Sequence, residues 1–209
     1  MIPLRHIDCF SGVGGIATGF HAAGIHTVLA IEKIKSCIDT YTANHPNIKV
    51  INTGNKTMTG GRILRLQKYF KKNENFFMTY GDGLSNVNLD KLKKFHELNN
   101  KLATVTAVRP PIRFGELNVA KRNIVKKFEE KPQLKYGWIN GGFFILNYEV
   151  FKYIKNDHIL FEREPMERLA KKKNLIAFKH KGFWKCVDTL KDKLYLDELY
   201  KKNKKKWIP

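Results

Sequence analysis

Short apolar segments alternate with helical segments along this chain of 209 residues. The strand candidates are residues 7–10, 27–31, 76–80, 103–108, 138–146 and 176–180. The helix candidates are residues 16–23, 34–43, 62–70, 89–98, 165–172 and 190–200, and residues 115–130 are typical of a β-hairpin. Because parallel strands need a crossover connection, usually a helix, this alternation predicts an α/β protein with a mostly parallel, Rossmann-like sheet.

The net charge of +20, from 39 Lys and Arg against 19 Asp and Glu, is unusual for a globular chain. Such a surface attracts phosphate groups, whether they belong to nucleotides or to nucleic acid. The lysines are nevertheless spread over many predicted helices and a run at residues 201–206. Charge spread in this way is typical of a solvated surface, so we expect no nucleic-acid partner.

The sequence carries no signal for a membrane or for an oxidising compartment. No apolar run approaches the roughly 20 residues that span a bilayer, and the first residues do not resemble a secretory signal. Cys9, Cys37 and Cys186 are scattered without a Cys-x-x-Cys pair, which favours small buried side chains over a disulfide framework or a zinc site. We therefore expect a cytoplasmic protein without a membrane partner.

A glycine-rich turn at residues 11–15 joins the first strand candidate to the first helix candidate. Glycines at such a turn allow the backbone to approach a ligand closely. Glu32 follows the second strand candidate, where dinucleotide-binding folds carry a carboxylate that holds ribose hydroxyls. The turn and Glu32 together predict a nucleotide or nucleotide-like cofactor near this end of the sheet.

The segments DCFSGVGG, GFHAAG, AIE and TYTANHPN, within residues 6–48, resemble the start of a DNA cytosine-5 methyltransferase. The resemblance implies an S-adenosylmethionine pocket lined by Phe10, Gly12 and Gly14, with Glu32 on the ribose. Methylation at carbon 5 also needs a cysteine nucleophile and a glutamate, which the family carries in Pro-Cys and Glu-Asn-Val segments. Neither segment occurs in the sequence, so residues 1–50 resemble a partial methyltransferase-like β-α-β segment.

Residues 51–209 resemble a second family, the glucose-1-phosphate cytidylyltransferases among the sugar-phosphate nucleotidyltransferases. The segments that carry this resemblance are NTGNKTMTGGRILRL, FFMTYGDGLSNVNL, ATVTAVRPPIRFG, FEEKPQ, GWINGGFFIL, FEREPMERLA and GFWKCVDTLKD. The resemblance implies a GT-A-like fold and a partial nucleotidyltransferase domain over these residues. It also implies transfer of a cytidylyl group from CTP to glucose 1-phosphate, giving CDP-glucose and pyrophosphate. By the same resemblance, the CDP-glucose is used in nucleotide-sugar and O-antigen synthesis.

The second resemblance assigns roles to residues within these segments. Asp82, in Gly-Asp-Gly, and Asp188, after a strand-like segment, are implied to act in catalysis by binding Mg²⁺, which prefers carboxylate oxygens. An ordinary interpretation makes Asp82 a turn residue and Asp188 the cap of the last helix. Lys131 is implied to act in catalysis as well, by binding the phosphate of glucose 1-phosphate. The further implied contacts are Glu130 and Asn140 for sugar hydroxyls, Gly115 for backbone approach to the sugar, and Gly60 and Gly61 for cytosine with Arg62 nearby.

The cytidylyltransferase family also carries a GGxGTR segment and a Pro-Lys-Pro segment, which hold and activate the triphosphate. Neither Gly-Thr-Arg nor Pro-Lys-Pro occurs in the sequence, and the methyltransferase-like opening stands in their place. Three interpretations stay open: a nucleotidyltransferase for CTP and glucose 1-phosphate, an S-adenosylmethionine-binding relative of methyltransferases, or a non-catalytic chimeric remnant. Because both segments are Rossmann-like, we expect the opening to fill a gap in the sheet of the second segment. A homo-oligomer also stays open.

Overall fold

The structure is a computed structural model, and it describes residues 4–110, 116–130 and 137–207. The strands are β1 (Arg5–Cys9), β2 (Thr27–Ile31), β3 (Lys49–Ile51), β4 (Asn75–Tyr80), β5 (Gly83–Ser85), β6 (Ala103–Val108), β7 (Glu116–Val119), β8 (Val125–Glu129), β9 (Ile139–Asn147), β10 (Leu175–Lys179) and β11 (Trp184–Cys186). The α-helices are α1 (Gly15–Ala22), α2 (Lys35–Asn44), α3 (Thr59–Leu64), α4 (Leu89–Asn99), α5 (Glu164–Lys171) and α6 (Leu190–Lys201).

Seven strands form one central sheet in the order β10-β6-β9-β4-β1-β2-β3. Strand β1 pairs in parallel with β2 on one side and with β4 on the other. Strand β9 runs antiparallel to its neighbours β4 and β6. The predicted α/β fold with a mostly parallel, Rossmann-like sheet is therefore confirmed.

The first 50 residues and the rest of the chain build the same sheet. Strands β1 and β2 belong to the methyltransferase-like opening, and β1 lies beside β4 of the second segment, with Arg5 opposite Phe76 and Cys9 opposite Tyr80. The expectation that the opening fills a place in the second sheet is thus confirmed. The division of the chain into two partial domains, 1–50 and 51–209, stays a prediction that rests on the two resemblances. In the structure, one sheet contains strands from both parts.

Strand β4 shows how the sheet is buried on both faces. Phe76 and Met78 belong to the larger core cluster, whereas Phe77 belongs to a second cluster, as the alternation of side chains along a strand requires. All three side chains are at most 1% exposed. Because burying a large apolar side chain contributes about 1.5–3 kcal/mol, β4 is a main stabilising element beneath the site described below.

Strand β1 carries polar side chains into the interior. Ile7 and Cys9 pack into the larger core cluster, while His6 and Asp8 are fully buried. The His6 ring stacks on Phe20 of α1 at 3.7 Å between ring centres. Its two ring nitrogens lie within 2.9 Å of threonine hydroxyls on the neighbouring strands β2 and β4, so its polar atoms are satisfied as burial requires.

The three cysteines are free thiols, and only Cys9 is fully buried. Cys37 and Cys186 are half-buried. The prediction of a small buried side chain therefore holds for Cys9 alone. Within the described ranges, no helix combines the length and the apolar character that crossing a membrane requires.

Residues 59–70 differ most from the predicted elements. The predicted helix 62–70 is replaced by α3, which begins earlier, and by a 3₁₀ turn at Gln67–Tyr69. The N–H groups of Met58 and Gly60 donate to the carbonyl oxygens of Asp157 and Ile159 at 2.8 and 2.9 Å. These tertiary bonds satisfy amide groups that the start of a helix otherwise leaves without partners.

Candidate functional site

A cleft of about 360 Å³ opens at the carboxyl ends of β1 and β4. In the strand order, β2, which follows β1 in the chain, lies on one side of β1, and β4 lies on the other side. Ligands of open α/β sheets bind at such switch points. The lining residues are Phe10, Thr59, Tyr80, Gly81, Asp82 and Glu162.

Gly81 brings the ends of β1 and β4 into direct contact. A Cβ atom at this position would lie 1.9 Å from the carbonyl oxygen of Phe10, so no larger residue fits without a backbone shift. Phe10 has a φ of 60°, in the left-handed region that is uncommon for a bulky residue. The contact joins a residue of the methyltransferase-like opening to the Gly-Asp-Gly segment predicted to bind metal.

Asp82 and Asp188 lie together beside the cleft, although they are far apart in the sequence. Strands β5 and β11 form a short antiparallel ladder in which Gly83 faces Cys186, and the Val187 N–H donates to the Asp82 carbonyl oxygen at 2.9 Å. One ligand atom from each of Asp82, Cys186 and Asp188 lies within 4.8 Å of the other two. The structure therefore brings together the two residues that the sequence predicts to bind Mg²⁺.

The donor set of this cluster suits a hard cation. The carboxylates of Asp82 and Asp188 are exposed, and carboxylate oxygens are the ligands that Mg²⁺ prefers. The Cys186 thiol donates to Asp188 Oδ1 across 3.2 Å. Burial, followed by the hydrogen bond to Asp188 and the charge of Asp82, raises the pKa of this thiol to about 12. Cys186 is therefore a neutral donor that orients the Asp188 carboxylate.

The ordinary interpretation of Asp188 as the cap of the last helix is wrong. Thr189 is the N-cap of α6, and its hydroxyl accepts the N–H of Asp192. The Asp192 side chain bonds back to the Thr189 N–H at 3.0 Å, which completes a capping box. The carboxylate of Asp188 is thus not required for the start of α6.

Glu162 is fixed on the wall of the cleft by two hydroxyl groups. The Tyr80 hydroxyl donates to one carboxylate oxygen of Glu162, and the Thr59 hydroxyl donates to the other at 2.6 Å. Burial, and then the charge of Glu162, raise the pKa of Tyr80 above its ordinary value, so the phenol stays a donor. Glu162 thereby presents oriented acceptor atoms to the cleft.

Arg62 lies beneath the cleft rather than on its lining. Its guanidinium carbon is 5.5 Å from the centre of the Phe10 ring, and the side chain is 7% exposed. The guanidinium donates to the Thr53 hydroxyl and, at 3.1 Å, to the Gly54 carbonyl oxygen. The structure therefore places Arg62 next to the predicted site, in contact with Phe10, and its proximity to a base stays a prediction.

Gly60 and Gly61 are explained by close packing within the chain. A Cβ atom on Gly60 would lie 2.6 Å from the Ile159 carbonyl oxygen, and one on Gly61 would lie 2.4 Å from that of Asp157. Both glycines are buried. They follow Thr59, which lines the cleft, so they lie near the site, and their predicted contact with cytosine remains to be tested.

Asn140 lies at the same end of the sheet as the cleft. It is exposed, and its Oδ1 accepts the N–H of Gly142 at 2.8 Å. The Trp184 ring nitrogen donates to the Gly141 carbonyl oxygen at 2.8 Å. This bond ties the predicted sugar-binding turn to β11 and hence to the neighbourhood of Asp188.

The remaining predicted sugar contacts flank strands β7 and β8 in the sequence. Glu130 is exposed just after β8. Lys131 and Gly115 lie outside the described residues. The roles of all three in binding glucose 1-phosphate stay predictions.

Glu32 holds the glycine loop at residues 11–15. Its carboxylate accepts the N–H of Gly12 at 2.9 Å, of Lys33 at 2.7 Å and of Ile34 at 2.9 Å. The side chain is 8% exposed. A carboxylate has about four acceptor positions, so Glu32 keeps capacity for one ribose hydroxyl while it orders the loop.

The two predicted cofactor glycines have different surroundings. Gly12 has a φ of 52° and open space where a Cβ atom would stand. A Cβ atom on Gly14 would lie 2.7 Å from the His45 ring, and its φ is 96°. Gly14 therefore serves the packing of α2 against the loop, whereas Gly12 is open to a ligand.

Sequence reasoning missed three residues of the cleft. Tyr80 reads as the last residue of an apolar strand, Thr59 as a helix cap, and Glu162 as an exposed charge. Thr59 instead donates to Glu162 and accepts the Phe161 N–H at 2.9 Å. The signal available was that all three residues lie inside segments that carry the cytidylyltransferase resemblance.

The second part of the sequence is similar to known cytidylyltransferases. Over 161 residues, 77% of this chain, the sequence is 44% identical to glucose-1-phosphate cytidylyltransferase of Salmonella typhimurium and 40% identical to the probable glucose-1-phosphate cytidylyltransferase of Bacillus subtilis. The chain spans 62% of the length of each of these relatives. The mannose-1-phosphate guanyltransferase of Saccharomyces cerevisiae is 31% identical over 159 residues, 71% of this chain and 44% of that protein.

The first resemblance is confirmed as well. The sequence model of the family described as C-5 cytosine-specific DNA methylase matches residues 4–69. This match runs past residue 50, and together with the 161 residues of the cytidylyltransferase match it exceeds the length of the chain. The two resemblances therefore share part of the sequence.

Solved structures show the fold over most of the chain. HddC from Yersinia pseudotuberculosis, complexed with GMP-PN, superimposes with a TM-score of 0.68 at 18% identity, covering 94% of this chain and 99% of that one. A putative glucose-1-phosphate thymidylyltransferase from Bacillus anthracis, in complex with a sucrose, gives 0.65 at 15% identity, with 94% of each chain covered. Because only 6% of this chain is left uncovered, most of the opening occupies positions of that fold.

Proposed function

We propose that the cleft is the active site of a nucleotidyltransferase that joins CTP and glucose 1-phosphate to give CDP-glucose and pyrophosphate. The observation that carries this proposal is the convergence of Asp82 and Asp188 beside the cleft at the switch point of the sheet. Identity of 44% to a glucose-1-phosphate cytidylyltransferase supports the choice of substrates. A cytoplasmic location and a role in nucleotide-sugar synthesis are parts of the same proposal.

Asp82 and Asp188 would hold a divalent cation, for which Mg²⁺ is the natural candidate. Both carboxylates are exposed and converge from separate strand ends. When bound, Mg²⁺ neutralises charge on the phosphates during transfer. Cys186 orients Asp188 through its thiol hydrogen bond, so the carboxylate geometry is set before the ligand arrives.

The proposed reaction is an in-line displacement at the α-phosphorus of CTP. A phosphate oxygen of glucose 1-phosphate forms the new P–O bond, the bond to the bridging oxygen of the β-phosphate breaks, and the electron pair leaves with pyrophosphate. Lys131 would hold the sugar phosphate, and Glu130 and Asn140 would take sugar hydroxyls. Catalysis of this kind depends on positioning and charge neutralisation.

The loop proposed to contact the triphosphate lacks positively charged side chains. Residues 11–15, which join β1 to α1, contain no Arg or Lys. Arg5 lies at the opposite end of β1, where its guanidinium pairs with Glu74 through contacts of 2.5 and 2.6 Å. The loop can offer backbone N–H groups to phosphates, as nests of such groups do elsewhere, but it brings no cation of its own.

Mg²⁺ binding tests the proposal without requiring turnover. Isothermal titration of the chain with Mg²⁺ and CTP is expected to show binding that Asp82→Asn and Asp188→Asn each weaken at least about tenfold, since each removes one charged ligand. Asp197→Asn, which neutralises an exposed carboxylate on α6, is the matched control. Equal affinities in the parent and in both site variants would refute the metal assignment.

A second candidate function, binding of S-adenosylmethionine, is favoured by the methylase match over residues 4–69 and by the Glu32-held loop. Phe10, Gly12, Gly14 and Glu32 would form its contacts. Equilibrium dialysis with labelled S-adenosylmethionine is expected to show weak binding that Glu32→Gln weakens further. Tight binding that survives this substitution would exclude Glu32 as the ribose contact.

A further inference from the structure

Phe10 is a bulky residue held in a conformation that it disfavours. Its φ of 60° lies in the left-handed region, and strained residues of this kind persist where the surroundings fix them, often at binding sites. The fixing contacts are present here. The Phe10 carbonyl group abuts Gly81, and the Tyr80 ring meets the Phe10 ring edge-on at 6.2 Å between centres.

The Phe10 ring is contacted by Arg62 and remains partly exposed in the cleft. Arg62 lies over the ring, and it is buried at 7% exposure. Phe10 itself is 37% exposed and lines the cleft. The buried guanidinium therefore contacts the ring from the protein side, and the exposed part of Phe10 remains available to a ligand in the cleft.

The other walls of the cleft carry the polar groups that a nucleotide requires. Glu162 presents acceptor oxygens oriented by Tyr80 and Thr59, and Asp82 of the proposed metal site lines the same cleft. A volume of about 360 Å³ lies within the range of small-molecule sites. An aromatic face, hydroxyl-binding acceptors and a phosphate-binding cation site thus meet in one space.

We infer that Phe10 is the stacking platform for the base of the nucleotide substrate. The base lies on the exposed part of the Phe10 ring, the ribose hydroxyls are within reach of Glu162, and the phosphates extend toward Asp82. The methyltransferase-like opening thereby supplies a substrate contact to the nucleotidyltransferase-like site. This inference rests on the proposed function, and it names a residue outside the segments that resemble cytidylyltransferases.

The test measures base binding separately from metal binding. Equilibrium dialysis with labelled CTP in EDTA compares the parent with Phe10→Leu and Phe10→Tyr, and Tyr200→Leu serves as control because Tyr200 is exposed on α6. Phe10→Leu is expected to weaken CTP binding about 5- to 150-fold, the range for loss of one base–aromatic stack. Phe10→Tyr keeps the ring and should stay within about twofold of the parent.

Two further ligands identify which part of the nucleotide Phe10 contacts. Inorganic tripolyphosphate, measured as a competitor of CTP, should bind Phe10→Leu and the parent equally, since it has no base. A parallel loss of tripolyphosphate affinity would overturn the stacking role. Unchanged CTP binding with weaker binding of S-adenosylmethionine would also overturn it, and would assign Phe10 to the methyltransferase-like function.

Saturation-transfer NMR on the unaltered chain covers the case in which Phe10→Leu does not fold. The cytosine H5 and H6 protons of CTP should receive more saturation than the ribose protons. Stronger saturation of the ribose would overturn the inference. Failure of the parent to bind CTP even when Mg²⁺ is present would remove the proposed function as well, whereas full CTP binding by Phe10→Leu would remove the inference alone.

Discussion

Replacing Gly81 by alanine should damage both the stability of the sheet and the cleft. The added Cβ atom would lie 1.9 Å from the Phe10 carbonyl oxygen and 3.5 Å from that of Cys9. Real Cβ atoms do not approach other heavy atoms within 3.0 Å, so the ends of β1 and β4 must separate by about 1 Å or more. The obstructing atom is backbone, which cannot rotate away as a flexible side chain would.

The size of the effect follows from this forced shift. Overpacking in a well-packed region costs about 1–3 kcal/mol, and in a chain of this length each kcal/mol lowers Tm by about 2–4 °C. Gly81→Ala is therefore expected to lower Tm by about 2–12 °C in thermal unfolding followed by circular dichroism. The same shift moves Phe10 away from Asp82, so CTP affinity in the dialysis assay should fall as well.

Gly19→Ala is the matched control for this substitution. Gly19 lies inside α1, with no atom within 4 Å of its added Cβ. Replacing an exposed helical glycine by alanine stabilises a protein by about 0.5–1 kcal/mol. If Gly81→Ala were as stable as Gly19→Ala and bound CTP like the parent, the close contact between the two strand ends would be refuted.

Two further outcomes are expected. Asp8 is fully buried, and burial raises the pKa of its carboxyl from 3.8 to about 7. Between these two pH values the native state binds more protons than the unfolded chain. The free energy of unfolding should therefore fall by roughly 4 kcal/mol as the pH rises from about 4 to 7. Asp8→Asn should remove this fall in urea unfolding across that window, and an unchanged pH dependence would contradict it. Pyrophosphate release from CTP and glucose 1-phosphate with Mg²⁺ should be at least about 10²-fold slower than the ordinary range of 1–10³ per second, since several charge-stabilising donors are missing from residues 11–15. A rate within that range would mean that this loop works as a triphosphate loop.

Elements with a clear local pattern could be predicted from the sequence. Strands β2 and β6 have the predicted bounds because both are rich in β-branched and apolar residues. Helix α4 begins at the first residue of the predicted range 89–98, after the cap residue Asn88, whose Oδ1 accepts the Lys91 N–H at 2.8 Å. In these places the chain neighbours of a residue decide its conformation.

Elements fixed by distant contacts could not be predicted in this way. Strand β3 has three residues and pairs only with β2 in the central sheet. Strand β5 is equally short, and its pairing with β11 sets Asp82 beside Asp188. Helix α3 begins at Thr59 because the chain packs on residues 157–161. None of these partners is near in sequence, so no local pattern of apolar residues predicts these elements.

The residues of the candidate site also differ in whether the sequence alone could predict them. Asp82 and Asp188 were predicted because they lie in segments that resemble one family, and resemblance carries information about distant contacts. Glu162 was missed because its role depends on Tyr80 and Thr59, which meet it only in the folded chain. Phe10 was assigned to S-adenosylmethionine alone, because the expectation that the opening joins the second sheet does not specify that the end of β1 lies beside Gly81 and Asp82.

The position of β1 determines how far the two segments depend on each other. It lies between β2 and β4 in the central sheet, and Ile7 and Cys9 lie in the same core cluster as Phe76 and Met78 of the second segment. Without residues 4–50, β4 would become an edge strand with unpaired backbone N–H and C=O groups, a state that favours aggregation. The cleft would also lose Phe10, and with it the contact at Gly81. The methyltransferase-like opening is therefore a structural part of the nucleotidyltransferase-like sheet, and the cleft is lined by residues from both segments.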